Sequence, residues 1–159
     1  MCNYSGVEPD ITLENQLCFA LYAAARASQG AYRPVLAELD LTYPQWLVLL
    51  ALWEEDGLSV GALGTRLHLD SGTLSPLLRR MESRGVITRR RAESDARTVT
   101  VHLSPEGREL RARAGDVQRC LVPLVDLSAE EAGTLRDLAH RLVASTERRT
   151  LTGRNGESE

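Results

Sequence analysis

Residues Asp70-Ser-Gly-Thr-Leu-Ser-Pro-Leu-Leu-Arg-Arg-Met-Glu-Ser-Arg-Gly85 run directly into Val86-Ile-Thr-Arg-Arg-Arg91 and, after a polar tip, Thr98-Val-Thr-Val-His-Leu103. The first piece predicts a helix. Leu74, Leu77, Leu78 and Met81 recur on one helical face, Asp70–Ser71 offers an N-terminal cap and Gly85 a stop. The other two predict a hairpin, with β-branched alternation on either side of the tip Ala92–Arg97. Upstream, Ser59 caps a short helix carrying Val60, Leu63 and Leu67. Two short helices joined by a tight turn, then a strand pair, make a winged helix-turn-helix over residues 59–103. Pro76 leaves two alternatives, because proline inside a helix costs about 3 kcal/mol. Either the helix begins at Ser75 with Pro76 in its first turn, or a kink is accepted there.

Helices flank this unit. Residues 13–28 predict one with two apolar stripes, Leu13, Leu17, Leu21 and Ala24 on one side and Cys18, Tyr22 and Ala25 on the other. A helix apolar on more than one side is covered from more than one side. Gly30 and Pro34 are expected to end it, with a separate short helix around Val35–Glu38. Thr42 caps a further helix that has Pro44 in its first turn, ends near Trp53 and is apolar enough to be interior. Beyond the hairpin, Ser104–Pro105 opens a helix to about Val122, and Ser128-Ala-Glu-Glu131 is a capping box for a last helix to about Arg149. A polar tail, Thr150–Glu159, is expected to be flexible. The fold class is mainly α with a small β-wing, in one domain spanning 1–159 with helical segments 13–53 and 104–149 around the winged unit.

With 159 residues, 43% of them hydrophobic, the chain can build one core and not two ordinary ones. The longest apolar run, Trp46–Trp53, falls far short of the roughly 20 residues of a membrane span. Residues 1–10 lack the basic start and apolar stretch of a secretory signal. The three cysteines, Cys2, Cys18 and Cys120, are odd in number and widely spaced, which suits a reducing compartment. No Cys-x-x-Cys occurs, and His68, His102 and His140 share no ligand spacing with a cysteine, so no metal and no cofactor are expected. A cytoplasmic protein with no membrane association is predicted.

The net charge is −3, yet seven arginines between Arg79 and Arg97 face only Glu82, Glu93 and Asp95, a local excess of +4. A basic island on an acidic chain is an addressed patch. All 19 basic residues are arginine, a bias that extends beyond the patch and reflects composition. Opposite the apolar face of the 71–84 helix stand Gly72, Pro76, Arg79 and Ser83, flanked by Ser71, Thr73, Ser75 and Arg80. Small and hydroxyl residues let a helix approach base edges and phosphates, and arginine can pair bidentately with guanine. A solvated polar face explains such a pattern on a lone helix. The adjacent hairpin shifts the balance to double-stranded DNA, because Arg89-Arg90-Arg91 and Asp95-Ala-Arg97 place arginine on the wing and at its tip. A tip arginine can enter a narrow minor groove, and Asp95 is expected to hold the Arg97 guanidinium.

All seven aromatic residues, Tyr4, Phe19, Tyr22, Tyr32, Tyr43, Trp46 and Trp53, lie in the first third of the chain. Such a concentration points to a pocket or an interface in this part of the chain, with plain core packing the alternative for the tryptophans and Phe19. Buried tyrosine hydroxyls need partners, which gives Tyr22, Tyr32 and Tyr43 the stronger functional reading. Cys18 stands four residues before Tyr22, so thiol and phenol share one helix face.

The order of flanking helices, helix-turn-helix and Asp-x-Arg wing resembles the MarR winged-helix repressors over nearly the whole chain. Leu13-Glu-Asn-Gln-Leu-Cys-Phe-Ala-Leu-Tyr22, Tyr43-Pro-Gln-Trp-Leu47 and Leu69-Asp-Ser-Gly-Thr-Leu74 are similar to the organic-hydroperoxide-sensing branch, OhrR. The wing is shared across the superfamily, whereas the Cys18 block is specific. The resemblance implies a homodimer joined by the N- and C-terminal helices, and a repressor bound to a two-fold symmetric operator. It implies that Tyr32 and Tyr43 of one subunit hydrogen-bond the reactive thiolate of Cys18 in the other. Each hydrogen bond to a charged group is worth about 1.5–3 kcal/mol, so two donors can offset the desolvation of a covered thiolate. The apolar neighbourhood expected around Cys18, formed by Leu17, Phe19, Leu21 and Trp46, suits organic hydroperoxides as the oxidant.

Oxidation yields a sulfenic acid, which in this family is resolved by a second protein cysteine or by a small thiol. Cys120 lies close to the resolving position of the two-cysteine members, which implies an intersubunit Cys18–Cys120 disulfide; the alternative leaves Cys120 in the core. Cys2 is expected to be a terminal thiol. Two other functions stay open from the sequence, release by a reversible aromatic ligand and thiol-peroxidase activity. Against the enzyme, no Thr-x-x-Cys peroxidatic motif is present, and Arg26 lies two turns from Cys18. No catalytic residue is predicted.

Overall fold

Side-chain caps set several of the helix starts in the computed structural model, which describes residues 11–92, 95, 97–121 and 126–154. Asp70 Oδ1 accepts from Thr73 N at 2.9 Å, while the Ser59 and Ser104 hydroxyls accept from Ala62 N and Gly107 N, each at 3.0 Å. At the head of the interior helix, Gln45 Oε1 accepts from Thr42 N at 2.8 Å. The elements that follow are α1 (Leu17–Ala37, after a 3-10 turn at Leu13–Asn15), α2 (Tyr43–Glu54), α3 (Val60–Leu67) and α4 (Ser71–Ser83). Strands β1 (Ile87–Arg91) and β2 (Val99–Leu103) come next, then α5 (Pro105–Glu109), a 3-10 turn (Leu110–Arg113), α6 (Ala114–Leu121) and α7 (Ala129–Arg154). Mainly α with a two-stranded wing is the observed class. Cys2, Tyr4, the tip residues Glu93, Ser94 and Ala96, the expected helix end at Val122 and residues 155–159 lie outside the described residues.

The chain divides into two compact units, Met1–Val122 and Pro123–Glu159. In the first, the apolar face of α4 (Leu74, Leu77, Leu78, Met81) closes on Trp46, Val48, Leu49 and Leu52 of α2, Leu63 of α3, Val86, Ile87 and Val101 of the wing base, and Leu36 at the end of α1. Trp46 and Trp53 meet edge to face with ring centres 5.2 Å apart, and Trp53 Nε1 donates to the Gly107 carbonyl at 2.8 Å. The wing is antiparallel, pairing Ile87 with Leu103 through Arg91 with Val99. Residues 57–59 add a short third edge: Gly57 N donates to Val101 O, Val101 N to Leu58 O, and Ser59 bridges Thr100. The second unit contains α7, whose start is the expected capping box, with Ser128 N donating to Glu131 Oε2 at 2.8 Å and Glu131 N to Ser128 Oγ at 3.2 Å. Leu135, Leu138, Leu142 and Val143 of α7 are exposed, a stripe at helical spacing.

Several expectations are corrected. Gly30 and Pro34 do not break α1, which runs unbroken to Ala37. Pro76 likewise sits inside α4, which begins at Ser71 and not at Ser75. Each of these prolines has glycine four residues earlier, Gly30 and Gly72. The ring of an internal proline crowds the carbonyl of residue i−4, and a residue without Cβ lets that carbonyl tilt away. Packing of Leu36 in the core then holds the last turn of α1. The segment after Ser104 is not one uniform α-helix. It tightens to 3-10 over Leu110–Arg113, where Arg111, Ala112 and Arg113 face solvent between buried anchors at Gly107 and Val117. Helix α7 continues to Arg154, past the expected end near Arg149.

Candidate nucleic-acid interface and thiol site

Helix α4 presents Ser71, Gly72, Thr73, Arg79 and Arg80 to solvent, with Ser75 and Pro76 half-buried. The Thr73 hydroxyl is committed to the cap, donating to Asp70 Oδ2 at 2.9 Å. These hydrogen bonds, the Thr73 backbone N–H foremost, hold the Asp70 carboxyl below its ordinary pKa, so the cap is ionised at neutral pH. Ser71, Ser75, Arg79 and Arg80 make no side-chain hydrogen bond or ion pair among the described residues.

On the wing, Arg89 is half-buried and its guanidinium grips Glu82 of α4, with Nε and Nη2 reaching Oε2 at 2.8 and 2.6 Å, while its backbone N–H donates to Oε1 at 3.0 Å. Glu82 is accordingly held below the usual carboxylate range, chiefly by its side-chain bonds to Arg89. Arg89 therefore locks wing to helix in the free chain. The expected Asp95–Arg97 side-chain pair is also corrected. Asp95 Oδ1 accepts from the Arg97 backbone N–H and Oδ2 from the Thr98 hydroxyl, both at 2.9 Å, and these bonds lower its pKa. The aspartate shapes the turn and leaves the Arg97 guanidinium exposed at the tip. Between wing and helices lies an open groove of about 440 Å³, lined by Ser59, Val60 and Gly61 at the start of α3, Ser75 of α4, and Arg89, Arg97, Thr98 and Val99. It gathers three of the predicted DNA residues. The α3 residues were missed from sequence; the Ser59 cap followed by Gly61 was the available signal.

The thiol region divides in two. Cys18 occupies the first turn of α1 and is exposed, as are Leu17, Phe19 and Tyr22. Arg26 reaches back one turn, its Nη1 donating to the Tyr22 hydroxyl at 3.1 Å with the guanidinium 5.7 Å from the ring centre, a contact not anticipated from sequence. Trp46 is not part of an apolar neighbourhood for Cys18, because it is sealed in the core. Tyr32 and Tyr43 are brought together at the other end of α1, ring centres 4.9 Å apart and planes inclined by 55°. Both are half-buried, and burial raises the pKa of each, so both remain protonated donors far above neutral pH. Neither hydroxyl has a hydrogen-bond partner among the described residues. Cys18 and Tyr32 share one helix at a separation of about 21 Å, given a rise of 1.5 Å per residue, so a single chain cannot join them. Cys120 is exposed on α6. Among the described residues no cluster of His, Cys, Asp and Glu could hold a metal ion, and no helix is long and apolar enough to cross a membrane.

The family of SarA/Rot transcriptional regulators matches residues 31–113. The chain is 45% identical over 131 residues to the organic hydroperoxide resistance transcriptional regulator of Bacillus subtilis (strain 168), covering 82% of this chain and 89% of that one. Among solved structures it is similar to reduced AbfR bound to DNA, with a TM-score of 0.74 and 30% identity over 87% of this chain and 94% of that one. It is also similar to disulfide-formed AbfR, with a TM-score of 0.59 and 32% identity over 82% and 92% of the two chains.

Proposed function

The chain belongs to the MarR family of winged-helix transcriptional regulators, in the branch of the OhrR and AbfR redox sensors, and from this we propose that it is a cytoplasmic DNA-binding repressor released when an organic hydroperoxide oxidises Cys18. The single observation that carries the reading is the Tyr32–Tyr43 pair, two protonated phenols without a partner among the described residues, held side by side about 21 Å along α1 from Cys18 of their own chain. A second copy supplies the missing thiol. The exposed apolar residues of α1 and the exposed stripe of α7 are the surfaces that such a homodimer buries. Two phenol O–H groups donating to Cys18 stabilise its thiolate, the reactive form.

The chemistry balances without a cofactor. The thiolate sulfur attacks one peroxide oxygen, the O–O bond breaks, and the leaving alkoxide takes a proton to become an alcohol. Cys18 is left as a sulfenic acid. Attack by the Cys120 thiolate of the second subunit then forms a disulfide and releases water. A sulfenic oxygen or a disulfide replaces the charge that the phenols held, and the helices of the interface repack. A hundredfold loss of operator affinity needs only about 2.7 kcal/mol of coupling. DNA is read by α4, with Ser71, Thr73, Ser75, Pro76, Arg79 and Arg80 facing the major groove, and by the wing through Arg97, with Arg89 and Asp95 fixing wing geometry.

A mobility-shift titration with a two-fold symmetric operator tests the function. Wild-type protein releases the operator on addition of stoichiometric cumene hydroperoxide, and Cys18→Ser binds as tightly but is not released. Release of Cys18→Ser by the peroxide contradicts the reading. A second reading, release by a reversible ligand, finds support in a recess of about 280 Å³ beside Tyr43, lined by both apolar and polar residues with Arg33 on its wall. Release by an aromatic carboxylate under reducing conditions distinguishes it.

A further inference from the structure

A thiol site on α1 can control DNA only through something that links the tyrosine pair to α4. Leu39 and Leu41, buried in the turn that joins α1 to α2, pack against the core that α4 also enters, but apolar surfaces in contact can slide. One contact is directional. Arg84, the residue that ends α4, sends its side chain into this turn, where Nη1 donates to the Asp40 carbonyl, Nη2 donates to the Leu39 carbonyl and Nε lies 3.5 Å from Asp40 Oδ2. Only 21% of the Arg84 side chain is exposed.

The receiving turn is rigid. Leu39 N and Leu41 N both donate to Leu36 O, and Asp40 N donates to Ala37 O. Asp40 adopts the left-handed region, with φ of 51°, which aspartate tolerates better than most residues. The Leu39 and Asp40 carbonyls that Arg84 meets lie just beyond the C-terminal end of α1, where the helix dipole also favours a cation. Three residues beyond Asp40 stands Tyr43, its ring in tilted contact with that of Tyr32. The planar fork of arginine meets two carbonyls in one fixed geometry, which a point charge cannot do.

We infer that Arg84 is the positioning residue that ties the recognition helix to the tyrosine turn, so that a displacement of Tyr43 tilts α4. This rests on the redox reading for its physiological use, but the mechanical link is separable from it. Linkage requires that operator binding at α4 be felt at the turn as well.

The test uses the full-length protein and the variants Arg84→Met, Arg84→Lys and Asp40→Asn. The ratio of oxidised to reduced operator Kd should fall at least about tenfold in Arg84→Met, while cumene hydroperoxide oxidises Cys18 within about twofold of the wild-type rate. Arg84→Lys, reaching one carbonyl at a time, should lie between the two, and Asp40→Asn, which keeps both carbonyls, should match wild type. An undiminished ratio in folded Arg84→Met overturns the inference, as does a loss in Asp40→Asn equal to that in Arg84→Met. Should Arg84→Met fail to fold, Arg84→Lys decides, and wild-type coupling in it overturns the inference. Amide exchange at residues 39–42 separates this from the redox reading. Operator binding should slow that exchange about tenfold in wild type and hardly at all in Arg84→Met. That result sustains the link even if peroxide releases nothing, and equal slowing in both proteins refutes it.

Discussion

Asp95 and Arg97 stand two residues apart on the wing tip, and the spacing alone invites an ion pair between them. The structure spends the carboxylate on the Arg97 backbone N–H and the Thr98 hydroxyl, so the turn is built by the aspartate and the arginine head is left for a ligand. Arg97→Ala should therefore weaken operator binding by about 1–3 kcal/mol, roughly five- to 150-fold, while leaving the melting temperature unchanged. Fluorescence anisotropy at several salt concentrations checks it, and a substantial drop in melting temperature would show that the guanidinium serves the fold. Sequence reasoning expected the aspartate to hold the arginine head; the structure differs because a short carboxylate two residues away reaches a backbone amide more readily than a long, mobile guanidinium. Cys18, Tyr32 and Tyr43 could be singled out from the sequence. Their separation could not, because Gly30 and Pro34 suggest a break where the helix in fact continues.

The winged unit was legible because its signals are local: caps at Ser59, Asp70 and Ser104, a four-residue apolar face on α4, a glycine stop and two alternating strands. The misread places are prolines whose breaking signal is offset by a glycine one turn back and, in α1, by the packing of Leu36 in the core. Prolines with glycine four residues earlier stay inside α1 and α4, and α5 is fixed by Gly107, where a Cβ would lie 2.1 Å from the Val86 carbonyl oxygen. Gly107→Ala forces that backbone apart and should destabilise the protein by about 3 kcal/mol or more, read as a lower urea midpoint. The clasp between α4 and the wing carries a pH signature. The folded pKa of Glu82 is depressed, so the stability contributed by its pairing with Arg89 is fully present above the unfolded carboxylate pKa and is lost as pH falls through the folded value. Protection of the Arg89 amide, measured against its intrinsic exchange rate, should fall on acidification through the depressed Glu82 pKa in wild type. In Glu82→Gln that protection should already be low at neutral pH and no longer respond to that change. Identical profiles in the two proteins would show that the wing is held by its ladder alone.

The proposed function makes the single chain an incomplete sensor. The tyrosine donors and the cysteine sit at opposite ends of α1, and exposed apolar residues lie on α1 and, in the second unit, on α7. In the proposed function, pairing two copies completes the thiol site, covers those surfaces and sets two recognition helices against a symmetric operator. Composition and charge had already excluded membrane spans and general stickiness to nucleic acid, but the need for a second chain becomes physical only once a continuous α1 puts about 21 Å between thiol and phenol. A mixed dimer tests this most directly. One subunit carries Cys18→Ser with its tyrosines intact, the other carries Tyr32→Phe and Tyr43→Phe with its cysteine intact, and the pair is isolated through two different affinity tags. Here the remaining thiol meets the intact phenols only across the interface. The mixed dimer should be oxidised by cumene hydroperoxide at a rate close to wild type and should release its operator, while the Tyr32→Phe/Tyr43→Phe homodimer reacts at least about tenfold more slowly. A mixed dimer as slow as that homodimer would contradict the account.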